Sequence, residues 1–192
     1  MSFAHLHVHT QYSILDGQSS IDGLIEEAAR HSQPALAITD HGNMFGVKEF
    51  LNKIEKHNKK NEPIIPILGS EVYVAHGSRK ERKGREDQSS YHLILLAKNI
   101  RGYHNLIKLS SKAYIEGFYY KPRIDHELLE QYHEDIICCS ACLGGEIPQA
   151  ILDGDMEKAK EIALWYKSQF GDDYYLEVQR HQTDIPGANT DT

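Results

Sequence analysis

Twelve of the 192 residues are histidines, the side chain that most often ligates metals or moves protons near neutral pH. Position decides between those uses. His7 and His9 stand two apart, and on an extended segment residues i and i+2 share a face, so both imidazoles can grip one ion. Asp16 follows soon after, Asp40 and His41 are adjacent, and Glu71, His92 and Cys142 come singly further on. Each alone has an ordinary reading: an exposed polar pair, a strand-end cap, a surface carboxylate, a satisfied core histidine, a small buried thiol. Together, their nitrogen, oxygen and thiolate donors suit zinc, manganese or iron better than magnesium or calcium. More than four candidates favour two or three clustered ions. Such clusters clamp phosphate oxygens and activate water, so the chemistry indicated is phosphoester hydrolysis.

Residues so far apart meet only if the fold delivers them to one place. Residues 3–9 read as a short strand running into a loop. Ser20 can cap a helix beginning near Ile21, whose Ile21, Leu24, Ile25, Ala28 and Ala29 follow helical spacing. Pro34 ends that passage, and residues 35–39 form an apolar run suited to a strand buried on both faces. The pattern then predicts a helix over about 45–60, a strand through 64–75, a flexible polar loop over 76–90 and a strand over 91–97. Helices over 101–116 and 125–132, a strand over 135–140, helices over 146–152 and 156–170 and a strand over 174–179 complete it. Residues 181–192 read as an interrupted connection. Strands alternating with helices imply right-handed crossovers and a mainly parallel sheet, closed as a barrel or open as an α/β layer. The ligand-type residues recur near strand ends, where such sheets gather their ligands.

A length of 192 residues allows one compact domain or two very small ones. The chain is 40% hydrophobic and 26% charged, ordinary for a globular protein. No apolar run approaches the ~18 residues of a membrane span, and the N-terminus lacks the pattern of a signal peptide. The expected location is the cytoplasm, with Cys138, Cys139 and Cys142 as thiols. A formal charge of −7 argues against a broad electrostatic footprint on nucleic acid. The basic stretch from Arg79 to Arg85 is the local exception, expected as a solvated loop.

Four segments, His7-Val8-His9-Thr10, Thr39-Asp40-His41-Gly42, Gly69-Ser70-Glu71 and Tyr91-His92-Leu93, resemble successive motifs of the polymerase-and-histidinol-phosphatase (PHP) family. Residues 12–17, 34–43, 113–119 and 140–148 narrow the likeness to the domain at the N-terminus of bacterial replicative polymerase alpha subunits. Free-standing phosphatases of the family share the metal motifs but not Tyr114 to Tyr119 or Cys142 to Pro148. The resemblance implies one domain fragment over residues 1–192, a distorted (β/α)7-type barrel with a trinuclear metal site at one mouth. It places His7, His9, Asp16, His41, Glu71, His92 and Cys142 at ligand positions, with Asp40 orienting His41 and His181 on the surface. It also implies a further helix and a strand bearing an Asp-x-His pair. No such pair follows Gln179, so the expected barrel is incomplete at its C-terminal end and holds fewer than the family's three divalent ions. The implied parent replicates DNA, with DNA and other replisome subunits as partners and no membrane. The domain itself is then a phosphoesterase acting as a 3′→5′ proofreading exonuclease, or a scaffold docking a separate exonuclease.

Overall fold

A computed structural model describes residues 3–179; residues 1, 2 and 180–192, His181 among them, lie outside the described residues. The first helix, α1 (Ile21–Arg30), starts where the side chain of Ser20 accepts from the Gly23 N–H, and it buries Ile21, Ile25 and Ala28. It leads to β1 (Ala35–Ile38), α2 (Val47–Asn58) and the long β2 (Ile65–Val74). Next come β3 (Tyr91–Ala97), α3 (Ile100–Ile115), β4 (Arg123–Ile124), α4 (His126–Tyr132) and β5 (Ile136–Cys139). Helices α5 (Glu146–Leu152) and α6 (Met156–Phe170) precede β6 (Tyr174–Tyr175).

The six strands form one sheet in the order β1-β2-β3-β5-β6, with β4 paired to the far end of β2. One edge of β2 pairs in parallel with β1 over Ile65–Leu68, then with β4 at Tyr73 and Val74. Its other edge pairs antiparallel with β3 over Gly69–Val74. The expected α/β class holds, and five of the six strands run in one direction. The exception is β3, antiparallel to both β2 and β5. It follows β2 through a connection without an α-helix, and only a helical crossover would have returned it in parallel.

Alternation along the strands separates three apolar clusters. Leu93 and Leu95 of β3, with Ile136 and Cys138 of β5, pack under α3 to α6. Leu36 and Ile38 of β1 pack under α1 and α2. The intervening Ala37, Ile94, Leu96 and Cys139 face a third, smaller cluster on the inner side of the curved sheet. A cavity of about 840 Å³ opens beside this inner face, lined in part by His5, His7, Cys139 and Tyr175.

Two expected strands are shorter than the sequence suggests. Residues 3–9 form no strand, although the Ala37 N–H donates to the His5 carbonyl and the Thr39 N–H to the Val8 carbonyl. Val8 N–H is taken by Thr39 Oγ1 at 2.8 Å, which removes the next rung. The ladder of β6 stops at Tyr175 because the Glu177 N–H goes to Ser140 Oγ at 2.8 Å. The short β4 has no counterpart in the sequence reading.

The 76–90 connection also departs from expectation, because Arg79 is buried, not solvated. Its guanidinium lies 2.9 Å from Asp125, 2.6 Å from Glu116 and 3.0 Å from Glu127. Arg123, also buried, donates to the carbonyls of Arg79, Glu81 and Asp87. Lys80, Arg82, Lys83 and Arg85 are the basic members of the stretch that do not become buried.

Candidate metal centre

Three strands and two loops converge on Glu71. This residue sits within β2, 1% exposed. The chain leaving β1 pairs with it: His41 forms a bridge to Glu71, and the Gly42 N–H donates to the Glu71 carbonyl at 2.8 Å. Gly42 adopts φ +60, and a Cβ there would lie 2.8 Å from the Tyr73 ring and 2.9 Å from Pro122; only glycine fits this turn. His92 comes from β3, opposite Tyr73 in the register, and its N–H donates to the Gly144 carbonyl. Cys142 lies in the turn after β5, and His7 and His9 lie on the irregular segment beside β1.

The carboxylate of Glu71 faces four imidazoles. Its Oε2 is 2.8 Å from His9 Nε2, 3.1 Å from His41 Nδ1 and 3.3 Å from His7 Nε2. Its Oε1 is 2.7 Å from His92 Nδ1 and 3.8 Å from Cys142 Sγ. Two sets of donor atoms, His7–His9–Glu71 and His41–Glu71–His92, each lie mutually within 4.8 Å and share Glu71. Cys142 Sγ flanks the second set, 3.6 Å from His92 Nδ1. Asp16 stands at the rim, half exposed, with Oδ2 3.0 Å from His41 Nε2. All seven expected ligand positions therefore come to one place, with Asp16 the most peripheral.

Behind the cluster, hydrogen bonds fix which imidazole nitrogen faces inward. Ser13 Oγ donates to Asp40 Oδ1 at 2.7 Å, so its lone pairs accept from His9 Nδ1 at 2.9 Å and from the His41 N–H. His9 thereby turns Nε2 toward Glu71. His7 does the same, because its Nδ1 lies 2.8 Å from the Glu177 carboxylate, itself held by the Gln179 amide at 2.8 Å. Asp40 is placed differently from the expectation. Its carboxylate receives Thr10 N–H, Thr10 O–H and Ser13 O–H, so it braces the turn behind His9 where the resemblance put it behind the His41 ring.

Charge is strongly coupled here. Burial opposes a proton on His7, yet the hydrogen bonds to Glu177 and Glu71 outweigh it and hold its pKa up at about 10. His92, hydrogen-bonded to Cys142 and Glu71, is raised to about 9. Burial would push the Glu71 carboxyl up, but hydrogen bonds from His7, His9 and His92 keep it far below the usual carboxylate range. Burial lowers His41, and the Cys142 thiol is lowered by its hydrogen bond to His92. His41 Nδ1, although 3.1 Å from Glu71, is out of hydrogen-bonding alignment and is a buried nitrogen with no partner among the described residues. A buried nitrogen without a proton partner, next to Nε2 atoms of His7 and His9 only 3.3 Å apart, suits a cation better than a purely protonic network. The residues present fit divalent ions.

Sequence reasoning missed Ser13, Tyr73 and Glu177. Tyr73 stacks on His41 with ring centroids 6.0 Å apart and meets His92 edge-on at 5.4 Å. Glu177 follows β6, and the rule that acids after strands converge could have found it. Ser13 carries no comparable signal, since its role exists only through the fold.

The profile of the PHP domain family matches residues 5–181. The DNA polymerase III subunit alpha of Borreliella burgdorferi is 50% identical over 180 residues, covering 93% of this chain and 15% of that protein. Its namesake from Treponema pallidum is 51% identical over 186 residues, covering 96% of this chain and 16% of that protein. The Deinococcus radiodurans protein of the same name is 46% identical, with 93% and 14% covered. The chain thus spans about one sixth of the length of these relatives.

Proposed function

Because this chain belongs to the PHP domain family, we propose that its histidine cluster holds at least two divalent ions and hydrolyses phosphodiesters, as a 3′→5′ exonuclease serving a replicative polymerase. The observation that carries this reading is Glu71. One buried carboxylate belongs to both three-donor sets, so a single side chain would serve both ions. His7, His9 and Glu71 would hold one ion; His41, Glu71 and His92 would hold the other, with Cys142 and Asp16 beside it. Imidazole-rich donors with a thiol favour zinc, manganese or iron. When bound, such ions polarise phosphoryl oxygens and activate water.

The chain's own part is orientation. Ser13 and Asp40 fix His9, Glu177 and Gln179 fix His7, and Tyr73 covers His41 and His92 on one side. In the reaction, water oxygen bonds to phosphorus, the bond to the preceding nucleotide's 3′ oxygen breaks, and that oxygen leaves with a proton as a hydroxyl. Similarity to DNA polymerase III alpha subunits further supports DNA as substrate, replisome subunits as partners and the cytoplasm as the place of work.

The test joins metal content to turnover. Protein purified without chelator or histidine tag should carry two or more equivalents of zinc, manganese or iron and shorten a 3′-ended oligonucleotide. His9→Ala should lower both the metal content and the turnover. Bound metal with no turnover on any oligonucleotide would refute the hydrolytic reading and leave the alternative, a scaffold docking a separate exonuclease.

A further inference from the structure

Near the metal centre runs a strip of exposed aromatic rings that the described residues leave uncovered. Phe45, four residues after His41, is 65% exposed, Tyr114 is 40% exposed and Phe118 is 48% exposed. They touch in a row: Phe45 and Tyr114 have centroids 6.3 Å apart, and Tyr114 and Phe118 6.1 Å apart. Phe45 is placed by a tight turn in which its N–H donates to Asn43 Oδ1. A cation close to Phe118 in the chain lies against the centre. Lys121, three residues after Phe118, sets its ammonium 4.4 Å from the centroid of Tyr73, and Tyr73 is the ring that packs on His41 and His92. Lys121 thus borders the metal cluster through Tyr73, and it follows Phe118 closely along the chain.

From this juxtaposition we propose that Phe45, Tyr114 and Phe118 form a stacking platform for the last bases of a single DNA strand, with Lys121 meeting a phosphate as the strand enters the centre. The inference rests on the hydrolytic reading above and names how its substrate is held. Adjacent, partly exposed rings match unpaired bases, because every base offers a π-face and stacking needs no sequence. Charge restricts how such a strand could be held. A chain of net charge −7 cannot track a long phosphate backbone, so affinity must come from stacking with few ionic contacts. Inside a paired duplex the base faces are covered by their neighbours, so an unpaired end offers these rings more to stack on.

The platform is tested on the 192-residue chain by fluorescence anisotropy with a labelled oligothymidylate, in chelator, so that no hydrolysis intervenes. Phe118→Ala and Tyr114→Ala should each weaken binding by about tenfold. Phe118→Trp, which keeps a stacking face, should retain it, which separates lost stacking from lost folding. The logarithm of affinity should fall with the logarithm of salt with a slope of about −0.7, the value for one phosphate contact on a single strand, and Lys121→Ala should flatten it. Three results would overturn the proposal. The wild-type chain could fail to bind, which would make the strip a protein-docking face. The alanine variants could bind as well as wild type. The salt slope could correspond to several phosphates, which would assign binding to Lys80, Arg82, Lys83 and Arg85. If the platform binds as described but the metal-loaded chain cuts nothing, the hydrolytic reading falls alone.

Discussion

At the scale of single residues, the centre depends as much on what stands behind the imidazoles as on the imidazoles. Glu177 and Ser13 touch no candidate donor atom facing the cluster; each holds the opposite nitrogen of His7 or His9. Glu177→Gln and Ser13→Ala should therefore weaken the binding of one ion by about 10–100-fold, the usual loss for such partners, which calorimetric titration with zinc would read. Unchanged affinity in both would mean the ring orientations are set elsewhere. Acidity adds a second expectation. His7 and His92 keep their protons to about pH 10 and about pH 9 in the metal-free fold, so an ion entering at pH 7 must displace them. Apparent affinity should rise with pH up to about 9, roughly tenfold per unit for each proton displaced; a pH-independent affinity would contradict it. For the metal-free chain the sign reverses. Both histidines have folded pKa values above the ordinary 6.5, so their stabilisation is full below about pH 6.5 and fades as pH climbs through 9 and 10. Much of this scale was legible. His7 and His9 announce themselves by spacing, and His41, Glu71, His92 and Cys142 by lying near strands. The bracing roles were not, because Ser13 and Asp40 meet across a turn whose shape no local pattern encodes.

At the scale of elements, helices and buried strands were readable because their periodicities differ, and Ser20, Asn99 and Asp125 cap where capping residues should. The direction of β3 and the shortness of the edge segments were not read, and the two failures have different causes. The connection from β2 to β3 contains no α-helix, which was visible in its polar composition and should have signalled an antiparallel return. The edges fail for a subtler reason. Val8 and Glu177 give their N–H groups to the hydroxyls of Thr39 and Ser140, trading ladder bonds for geometry that aims His7 inward. The burial of Arg79 is the third surprise, since a basic run looks solvated until acids from α3 and α4 close on it. That network yields a prediction at its own scale. Asp125 is buried, caps α4 and pairs with Arg79 at 2.9 Å. Arg79→Ala leaves that carboxylate unpaired and should cost about 3–5 kcal/mol in urea unfolding. A loss under about 1 kcal/mol would show that the connection does not rely on this anchor.

At the scale of the whole molecule, the metal centre adds a polar junction between parts that β2 and the third apolar cluster already join. One cluster packs α1 and α2 on β1, another packs α3 to α6 on β3 and β5, and β2 runs between them. His7 and His9 belong to the irregular segment beside β1, while His92 and Cys142 belong to the β3–β5 side, and their side chains meet on Glu71. The segment around His7 makes few backbone bonds and is joined to the end beyond β6 through Glu177. In the metal-free chain the side chains of this junction are held by proton-sharing hydrogen bonds, beside the backbone ladders of β2. An ion bound to the folded arrangement but not to the unfolded chain stabilises the fold by mass action. At a free concentration 100 times the dissociation constant the gain is about 2.7 kcal/mol. For a chain of this length that corresponds to a rise in melting temperature of roughly 5–10 °C. Zinc or manganese should therefore raise the midpoint of thermal unfolding and a chelator should return it. Glu71→Gln, which removes the charge shared by both donor sets, should abolish most of the rise, whereas His126→Gln, remote from the cluster, should not. A midpoint indifferent to every divalent ion would mean that the two halves are held without one, and the convergence of four imidazoles on a single carboxylate would then need another explanation.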